Sequence, residues 1–157
     1  MAQGYSFKCK CGYSFTPILG VGYLFPQVYQ DLKKSAIAGE LGEELKTFFT
    51  EHPEGAIDAE TVVARCQKCG KYECVTNLSM YLPKDNAEAV VMPFEGEEYV
   101  TSWDLRESYE LYAKYQHKCK SCGSDMDIID EEDIRNNGII CPKCGKTIKC
   151  DGIIMCD

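Results

Sequence analysis

Two cysteine pairs near the end of the chain decide its predicted fold: Cys119-Lys-Ser-Cys122-Gly123 and, after an interval of eighteen residues between Cys122 and Cys141, Cys141-Pro-Lys-Cys144-Gly145. Two C-x₂-C pairs at this separation are typical of a tetrahedral zinc site, because two intervening residues let both thiolates of one turn reach the same ion. The glycine after each second cysteine can adopt the positive φ that closes the turn. Four thiolates leave no open coordination position, so the spacing predicts a structural metal site.

The first half of the chain repeats this pattern imperfectly. Tyr5-Ser-Phe-Lys-Cys9-Lys-Cys11-Gly12 resembles the stretch from Tyr115 to Gly123 with one residue fewer between the cysteines, and Cys66-Gln-Lys-Cys69-Gly70 resembles the stretch from Cys141 to Gly145. Internal similarity of this kind indicates two metal sites in series, one in each half of the chain. The predicted ligands are Cys9, Cys11, Cys66 and Cys69 for the first site, and Cys119, Cys122, Cys141 and Cys144 for the second. The alternative is a site that draws one cysteine pair from each half, which closes longer loops.

These cysteine turns, called knuckles from here on, resemble those of the zinc-ribbon and rubredoxin-like superfamily. The arrangement is similar to that of bacterial proteins with two ribbons and an insertion. The resemblance covers about 25 residues of the second ribbon but only the knuckles of the first. It implies an α+β fold with two small antiparallel zinc ribbons, and two Zn²⁺ ions per chain, with iron as a possible occupant of the same thiolates. It implies no function, because ribbons of this kind serve many unrelated tasks.

The segment between the knuckles at Cys11 and Cys66 is predicted to hold a helical pair. Val28, Leu32 and Ala36 recur at every fourth position and Gly39 ends the first helix, while a second apolar stripe runs from Leu41 to His52. We therefore divide the chain into a first zinc ribbon with a helical insertion, an acidic hinge and a second zinc ribbon, at residues 1–86, 87–100 and 101–157. At the start of the third segment, a capping box from Thr101 to Asp104 predicts the beginning of a helix. The chain then alternates from Ser108 to Lys118, so helix and strand both stay open for Tyr109–Lys118, and we favour a short helix that passes into a strand.

Composition indicates the compartment and the kind of partner. The chain has 157 residues, eleven cysteines and a formal net charge of −8. It starts without the apolar core of a secretory signal, and its longest apolar-leaning run, Pro17 to Pro26, is too short to span a bilayer, so we predict a cytoplasmic protein with no membrane contact. Each zinc ion with four thiolates would add −2, and no run of Lys and Arg is present. Nucleic acid is therefore a less favoured partner than another protein.

The sequence contains no complete catalytic constellation, so it favours a non-enzymatic protein without deciding the question. A protein-interaction or adaptor module fits best, with contact surfaces predicted at the Thr16–Pro26 loop and at the acidic stretches around Glu97 and Glu131. Two alternatives stay open: a nucleic-acid-associated, transcription-related ribbon, and a thiol or redox protein that uses the three remaining cysteines. Those cysteines are Cys74, Cys150 and Cys156. Of the other candidate residues, we predict Trp103 to pack where the halves meet, His52 to lie at a helix end, and His117 to lie near the metal ligands or at the surface.

Overall fold

The structure, a computed structural model, describes residues 2–85, 92–94 and 97–156. The helices are α1 (Phe25–Ala38), α2 (Glu43–Glu51), α3 (Ser102–Ser108) and α4 (Glu131–Asn137). The strands are β1 (Ala2–Lys8), β2 (Ser14–Phe15), β3 (Ile18–Gly20), β4 (Ala56–Ile57), β5 (Thr61–Cys66), β6 (Tyr72–Thr76), β7 (Met80–Pro83), β8 (Met92–Phe94), β9 (Glu97–Tyr99), β10 (Tyr109–Ala113), β11 (His117–Lys118), β12 (Asp125–Ile129), β13 (Ile139–Ile140), β14 (Thr147–Ile148) and β15 (Cys150–Cys156). Within the described ranges, no helix has the length and apolar character needed to cross a membrane.

The chain folds into two compact units, each assembled from separated segments. Unit 1 contains Met1–Gly22, Thr61–Thr76 and Gln116–Asp157, and unit 2 contains Tyr23–Glu60 and Asn77–Tyr115. These units interleave along the sequence, in contrast to the consecutive ranges 1–86, 87–100 and 101–157 of the sequence-based division. Residues 87–91 and 95–96 of the predicted acidic hinge lie outside the described residues.

Unit 1 is organised by an antiparallel sheet whose strands flank three of the four knuckles. Its strand order is β11-β12-β5-β3-β1-β15, with β2 paired to β1 and β6 paired to β5, while β13 and β14 form a separate hairpin. The first and last strands of the chain are neighbours, with Ala2 opposite Cys156 and Phe7 opposite Cys150. Strand β5 pairs with β12, which places Cys66 opposite Met126. The sheet therefore brings the two ends of the chain together.

The core of unit 1 follows from the alternation of residues 5 to 15. Tyr5 and Phe7 share one face of β1 and are fully buried, together with Leu19 and Val63 from neighbouring strands. Burial of side chains of this size stabilises the fold by about 1.5–3 kcal/mol each. The Tyr5 hydroxyl group donates a hydrogen bond of 2.5 Å to Glu131 at the start of α4. Burial first, and this carboxylate second, raise the pKa of Tyr5 to about 12.

Unit 2 contains the predicted helical pair, α1 and α2, and a three-stranded antiparallel sheet of order β10-β7-β4. Gly39 ends α1 with a φ of 85°, as its position in the sequence predicted. The capping box between Thr101 and Asp104 is confirmed, since each residue's side chain accepts the other's backbone N–H group. Helix α3 passes directly into β10, which confirms the predicted change from helix to strand.

Three local expectations are corrected. Residues 16–26, predicted as a loop, include strand β3, in which Ile18 lies opposite Gly4 of β1. The sequence also indicates one strand from Lys71 to Leu82, after the knuckle at Cys66. Residues 77–79 interrupt it, since Leu78 adopts a φ of 60°, so β6 belongs to unit 1 and β7 to unit 2. Trp103 was predicted to be packed, but its side chain is 65% exposed, because Leu105 and Asp104 occupy the buried face of α3.

Asp58 is a buried carboxylate in unit 2 with defined partners. Its two carboxylate oxygens accept hydrogen bonds of 3.0 Å from the Glu60 backbone N–H group and from the Asn77 side-chain amide. Desolvation by burial raises the pKa of Asp58 to about 6, from an ordinary value of 3.8. The folded state therefore holds this proton more tightly than the unfolded state, and the free energy of unfolding falls as the pH rises between these two values.

Replacement of Asp58 by Asn is expected to remove this pH dependence. The variant should be more stable relative to wild type at pH 7 than at pH 4, by ~1–3 kcal/mol, because the neutral side chain carries no cost of ionisation. Urea unfolding at a series of pH values measures the difference. An Asp85→Asn variant, which neutralises an exposed carboxylate of unit 2, is the control. Parallel pH profiles for wild type and Asp58→Asn would contradict the expectation.

Candidate metal centres

The eight knuckle cysteines form two groups of four. Cys9, Cys11, Cys141 and Cys144 make up site I, and Cys66, Cys69, Cys119 and Cys122 make up site II. Within each group the sulfur atoms all lie within 4.8 Å of one another. Both groups belong to unit 1. Each group could hold one metal ion, which is consistent with two metals per chain.

The distances between the sulfur atoms match a shared metal ion and not a disulfide. In site I, Cys9 and Cys144 have sulfur atoms 3.5 Å apart, as do Cys11 and Cys141. In site II the corresponding distances are 3.4 Å for Cys66–Cys122 and 3.7 Å for Cys69–Cys119. A disulfide bond is about 2.0 Å long. A tetrahedron with metal–sulfur bonds of about 2.3 Å has edges of about 3.8 Å, close to the distances found here.

The prediction that each half of the chain holds its own site is wrong. The knuckles are nested: the first, at Cys9, joins the fourth, at Cys141, and the second, at Cys66, joins the third, at Cys119. The sheet explains this pairing. β15, which follows the fourth knuckle and β14, pairs with β1 before the first knuckle, and β12 after the third knuckle pairs with β5 before the second. Closing the longer loops that this pairing requires costs little additional free energy, since loop-closure entropy grows only with the logarithm of loop length.

The three C-x₂-C knuckles share one hydrogen-bond pattern. The N–H group of the first cysteine donates to the carbonyl oxygen five residues later, and the glycine N–H group donates back to the carbonyl oxygen of that cysteine, at Cys66, Cys119 and Cys141. The glycines have φ values of 73°, 72° and 75°. At the first knuckle the same two bonds span one residue fewer, from Cys9 to Tyr13 and from Gly12 to Cys9. The shorter knuckle therefore keeps the architecture of the others.

The pKa values of the thiols diverge within each group. In site II, hydrogen bonds from the side chain and then the backbone of Ser124 lower the pKa of Cys122 to about 6. In site I, burial acts to raise the pKa of Cys141, but backbone hydrogen bonds from Cys144 and Lys143 outweigh it and lower the pKa to about 7. At Cys9 a backbone hydrogen bond from Cys11 lowers the pKa, but the neighbouring thiol groups and burial raise it to about 12. A bound dication would favour the thiolate form of all four cysteines at once, and so offset the interactions between neighbouring thiol groups that raise the pKa of Cys9.

The other candidate residues lie outside the two groups. His52 caps the end of α2 and its ring lies 5.6 Å from that of Phe48, as expected for a residue at a helix end. His117 is buried in β11, opposite Met126. Of the three remaining cysteines, Cys150 packs against the core of unit 1, and burial raises the pKa of Cys74. A raised pKa lowers the thiolate fraction and so does not support a redox role for Cys74.

The fold and the two cysteine groups define an α+β protein with antiparallel sheets and two candidate metal centres in one structural unit. Comparison of the chain with protein-family models, with curated proteins and with solved structures gave no match. The arguments about function below therefore rest on the residues and geometry of this chain.

Proposed function

We propose that the protein is a non-enzymatic, zinc-stabilised binding module that acts through another protein. The supporting observation is the closure of both cysteine groups: four sulfur atoms already surround each candidate metal position. A tetrathiolate leaves no site for a substrate or a reactive water molecule, so the metal's role is to hold the fold together. Free cysteines at these distances suit a reducing compartment such as the cytoplasm.

Zinc is the proposed occupant of both sites, with iron as the alternative. Four thiolates in a tetrahedral arrangement select soft metal ions, and both Zn²⁺ and iron satisfy that preference. The hydrogen bond of 3.4 Å from the Cys69 backbone N–H group to the Cys66 sulfur atom is of the kind that stabilises a bound thiolate. The eight ligands on this proposal are those of sites I and II.

The proposed contact surface is the apolar edge formed by β15. This strand ends the order of the unit 1 sheet, so within the described residues its outer backbone groups have no neighbouring strand. Ile153, Ile154 and Met155 are consecutive in it and are each more than half exposed. Ile154 lies opposite Gly4, which in turn lies opposite the exposed Ile18 of β3, so the apolar surface continues across three strands.

An extended segment of a partner protein is the occupant that this edge suits best. A free edge offers backbone N–H and C=O groups to an added strand, and apolar side chains on both faces contribute the rest of the contact. Of the surfaces predicted from the sequence, the Thr16–Pro26 segment contributes Ile18 to the apolar surface beside this edge. Glu131, in contrast, accepts a hydrogen bond from the Tyr5 hydroxyl group, so its carboxylate helps to hold α4 in place and is not free to contact a partner.

Substitution of two edge residues by lysine tests this proposal. Ile154→Lys/Met155→Lys places charge on the strand, a substitution that opposes the addition of another strand. The matched control is Val28→Lys/Ile37→Lys, which introduces the same two side chains at exposed apolar positions of α1 in unit 2. We expect proteins captured from the source cells by the wild-type chain and by the control to be lost with the edge variant.

Two further measurements make the result interpretable. The edge variant must keep its metal content, and the amides of β15 must gain hydrogen-exchange protection when a captured partner is added to the wild-type chain. Capture that is the same for all three chains, or a partner that protects amides elsewhere but leaves those of β15 unchanged, would overturn strand addition at this edge.

A further inference from the structure

A cleft beside site I is lined by four lysines. Its volume is about 670 Å³, and Lys8, Lys10, Lys146 and Lys149 surround an opening that also exposes the thiol groups of Cys9 and Cys144. No Asp or Glu is among its lining residues in the described structure. A volume of this size is within the range of natural ligand sites, about 300–1,000 Å³.

The lysines of the cleft are available to a ligand. In the part of the chain that the structure describes, the one Lys or Arg side chain in an ion pair with a carboxylate is Lys118, which pairs with Asp125. Lys149 donates a hydrogen bond of 3.3 Å to the Asn137 carbonyl oxygen. The side chains of Lys8, Lys10 and Lys146 are exposed and have no hydrogen-bond or ion-pair partner among the described residues. Like charges that converge without partners are an electrostatic cost that a bound anion relieves.

Site II differs in this respect, although its knuckles have a similar sequence. Lys118 there pairs with Asp125, and Lys71 donates a hydrogen bond of 2.9 Å to the Ser121 hydroxyl group. The cleft next to site II includes the carboxylate of Asp127 in its lining. The site I cleft therefore combines four lysines with no carboxylate among its described lining residues, whereas the site II cleft combines Arg65 and Lys68 with Asp127.

The net charge of the whole chain conceals this local charge. Unit 1 contains eleven basic residues (Lys and Arg) and nine acidic residues (Asp and Glu), whereas unit 2 contains six basic and sixteen acidic residues. Six of the nine acidic residues of unit 1 lie between Asp125 and Asp133, in β12 and α4 or between them. A zinc tetrathiolate at site I would add a net charge of −2, which is smaller in magnitude than the positive charge of the four lysines. The cleft thus stays positive with the metal bound.

We propose that the lysine cleft at site I binds the phosphate backbone of a single-stranded nucleic acid. Lysine ammonium groups act as compact charges that bind phosphate oxygens in many orientations, and the cleft has no arginine fork for planar carboxylates. A nucleic acid presents one fixed charge at every nucleotide, whereas an acidic peptide must order several flexible side chains to fill the same four positions. None of the described residues that line the cleft is aromatic, so we expect contacts to phosphate groups, which carry no base-sequence information, and no stacking on bases.

Binding of a labelled oligonucleotide to the metal-loaded full chain tests this inference. The probe is an oligothymidylate of about twelve nucleotides, with oligouridylate of the same length as a second probe, and fluorescence anisotropy is recorded from ~50 to ~200 mM salt. The cleft variant is Lys8→Gln/Lys10→Gln/Lys146→Gln. The control is Lys34→Gln/Lys46→Gln/Lys114→Gln, which removes three exposed lysines of unit 2 and changes the net charge equally.

We expect the cleft variant to lose at least tenfold in affinity and the control to bind as the wild-type chain does. The slope of log affinity against log salt should become shallower by about two, since each lost phosphate contact with a single strand contributes about 0.7. Both variants must retain two metal ions per chain, because Lys10 lies between two ligands. Equal losses in the two variants, or a salt-independent affinity, would overturn the inference. So would tighter binding of an oligoglutamate of the same length, which would assign the cleft to an acidic protein.

Discussion

Substitution of Cys9 and Cys66 together is expected to abolish metal binding, whereas substitution of Cys9 and Cys144 together should leave one metal ion per chain. Cys9 and Cys66 belong to different groups in the nested arrangement, so Cys9→Ser/Cys66→Ser removes a ligand from both sites. Cys9 and Cys144, with sulfur atoms 3.5 Å apart, belong to the same group, so Cys9→Ser/Cys144→Ser leaves site II complete. If each site were instead confined to one half of the chain, Cys9→Ser/Cys66→Ser would leave one metal ion and Cys9→Ser/Cys144→Ser would leave none.

Elemental analysis after anaerobic purification provides the measurement, and it also identifies the metal. The wild-type chain is expected to contain two zinc ions, and a Cys74→Ser/Cys156→Ser control should contain the same number, since neither residue belongs to a group of four. Cobalt titration gives an independent count, because the intensity of the thiolate-to-cobalt absorption scales with the number of thiolates bound to the ion. One metal in the Cys9→Ser/Cys66→Ser variant together with none in the Cys9→Ser/Cys144→Ser variant would refute the nested arrangement.

The positions of the knuckles could be predicted from the sequence, but the pairing of knuckles at each metal site could not. The C-x₂-C spacing and its following glycine identified the knuckle positions, because the turn that presents two sulfur atoms is a local structure set by a few residues. Which two turns share an ion is decided by strand pairing over long sequence distances, such as that of β1 with β15. Nothing in the knuckles at Cys9 and Cys141 encodes that pairing. The short separation of Cys122 from Cys141 favoured the wrong partner.

The interleaving of the two units along the chain could not be predicted for a similar reason. The helical pair and the capping box at Thr101 were predicted correctly, because amphipathic spacing and caps are properties of neighbouring residues. The break at Leu78, which sends β6 and β7 into different units, depends on a positive φ in a leucine that no local rule favours. The segregation of charge followed from the same interleaving, since the acidic segments of unit 2 alternate along the chain with the basic knuckles of unit 1.

Removal of both metal ions is expected to unfold unit 1 and to leave unit 2 folded. Both cysteine groups lie in unit 1. Structural zinc ions contribute about 10–16 kcal/mol each in small zinc domains, which equals or exceeds the 5–15 kcal/mol stability of a typical domain. Unit 2 has its own buried core without a cysteine, which includes Tyr29, Leu45, Phe48, Phe49, Ile57 and Met80.

Hydrogen exchange followed by mass spectrometry, before and after treatment with a strong chelator, separates the two units. Amides of β1, β5 and β12 should lose their protection, while those of α1 and α2 should keep most of theirs. The reciprocal control is Phe48→Ala, which removes a side chain that is 2% exposed at a cost of about 3–5 kcal/mol. It should open the amides of α2 and leave two metal ions bound. Loss of protection in α1 and α2 at the same chelator exposure as in β5 would show instead that the metal ions hold the whole chain as one cooperative unit.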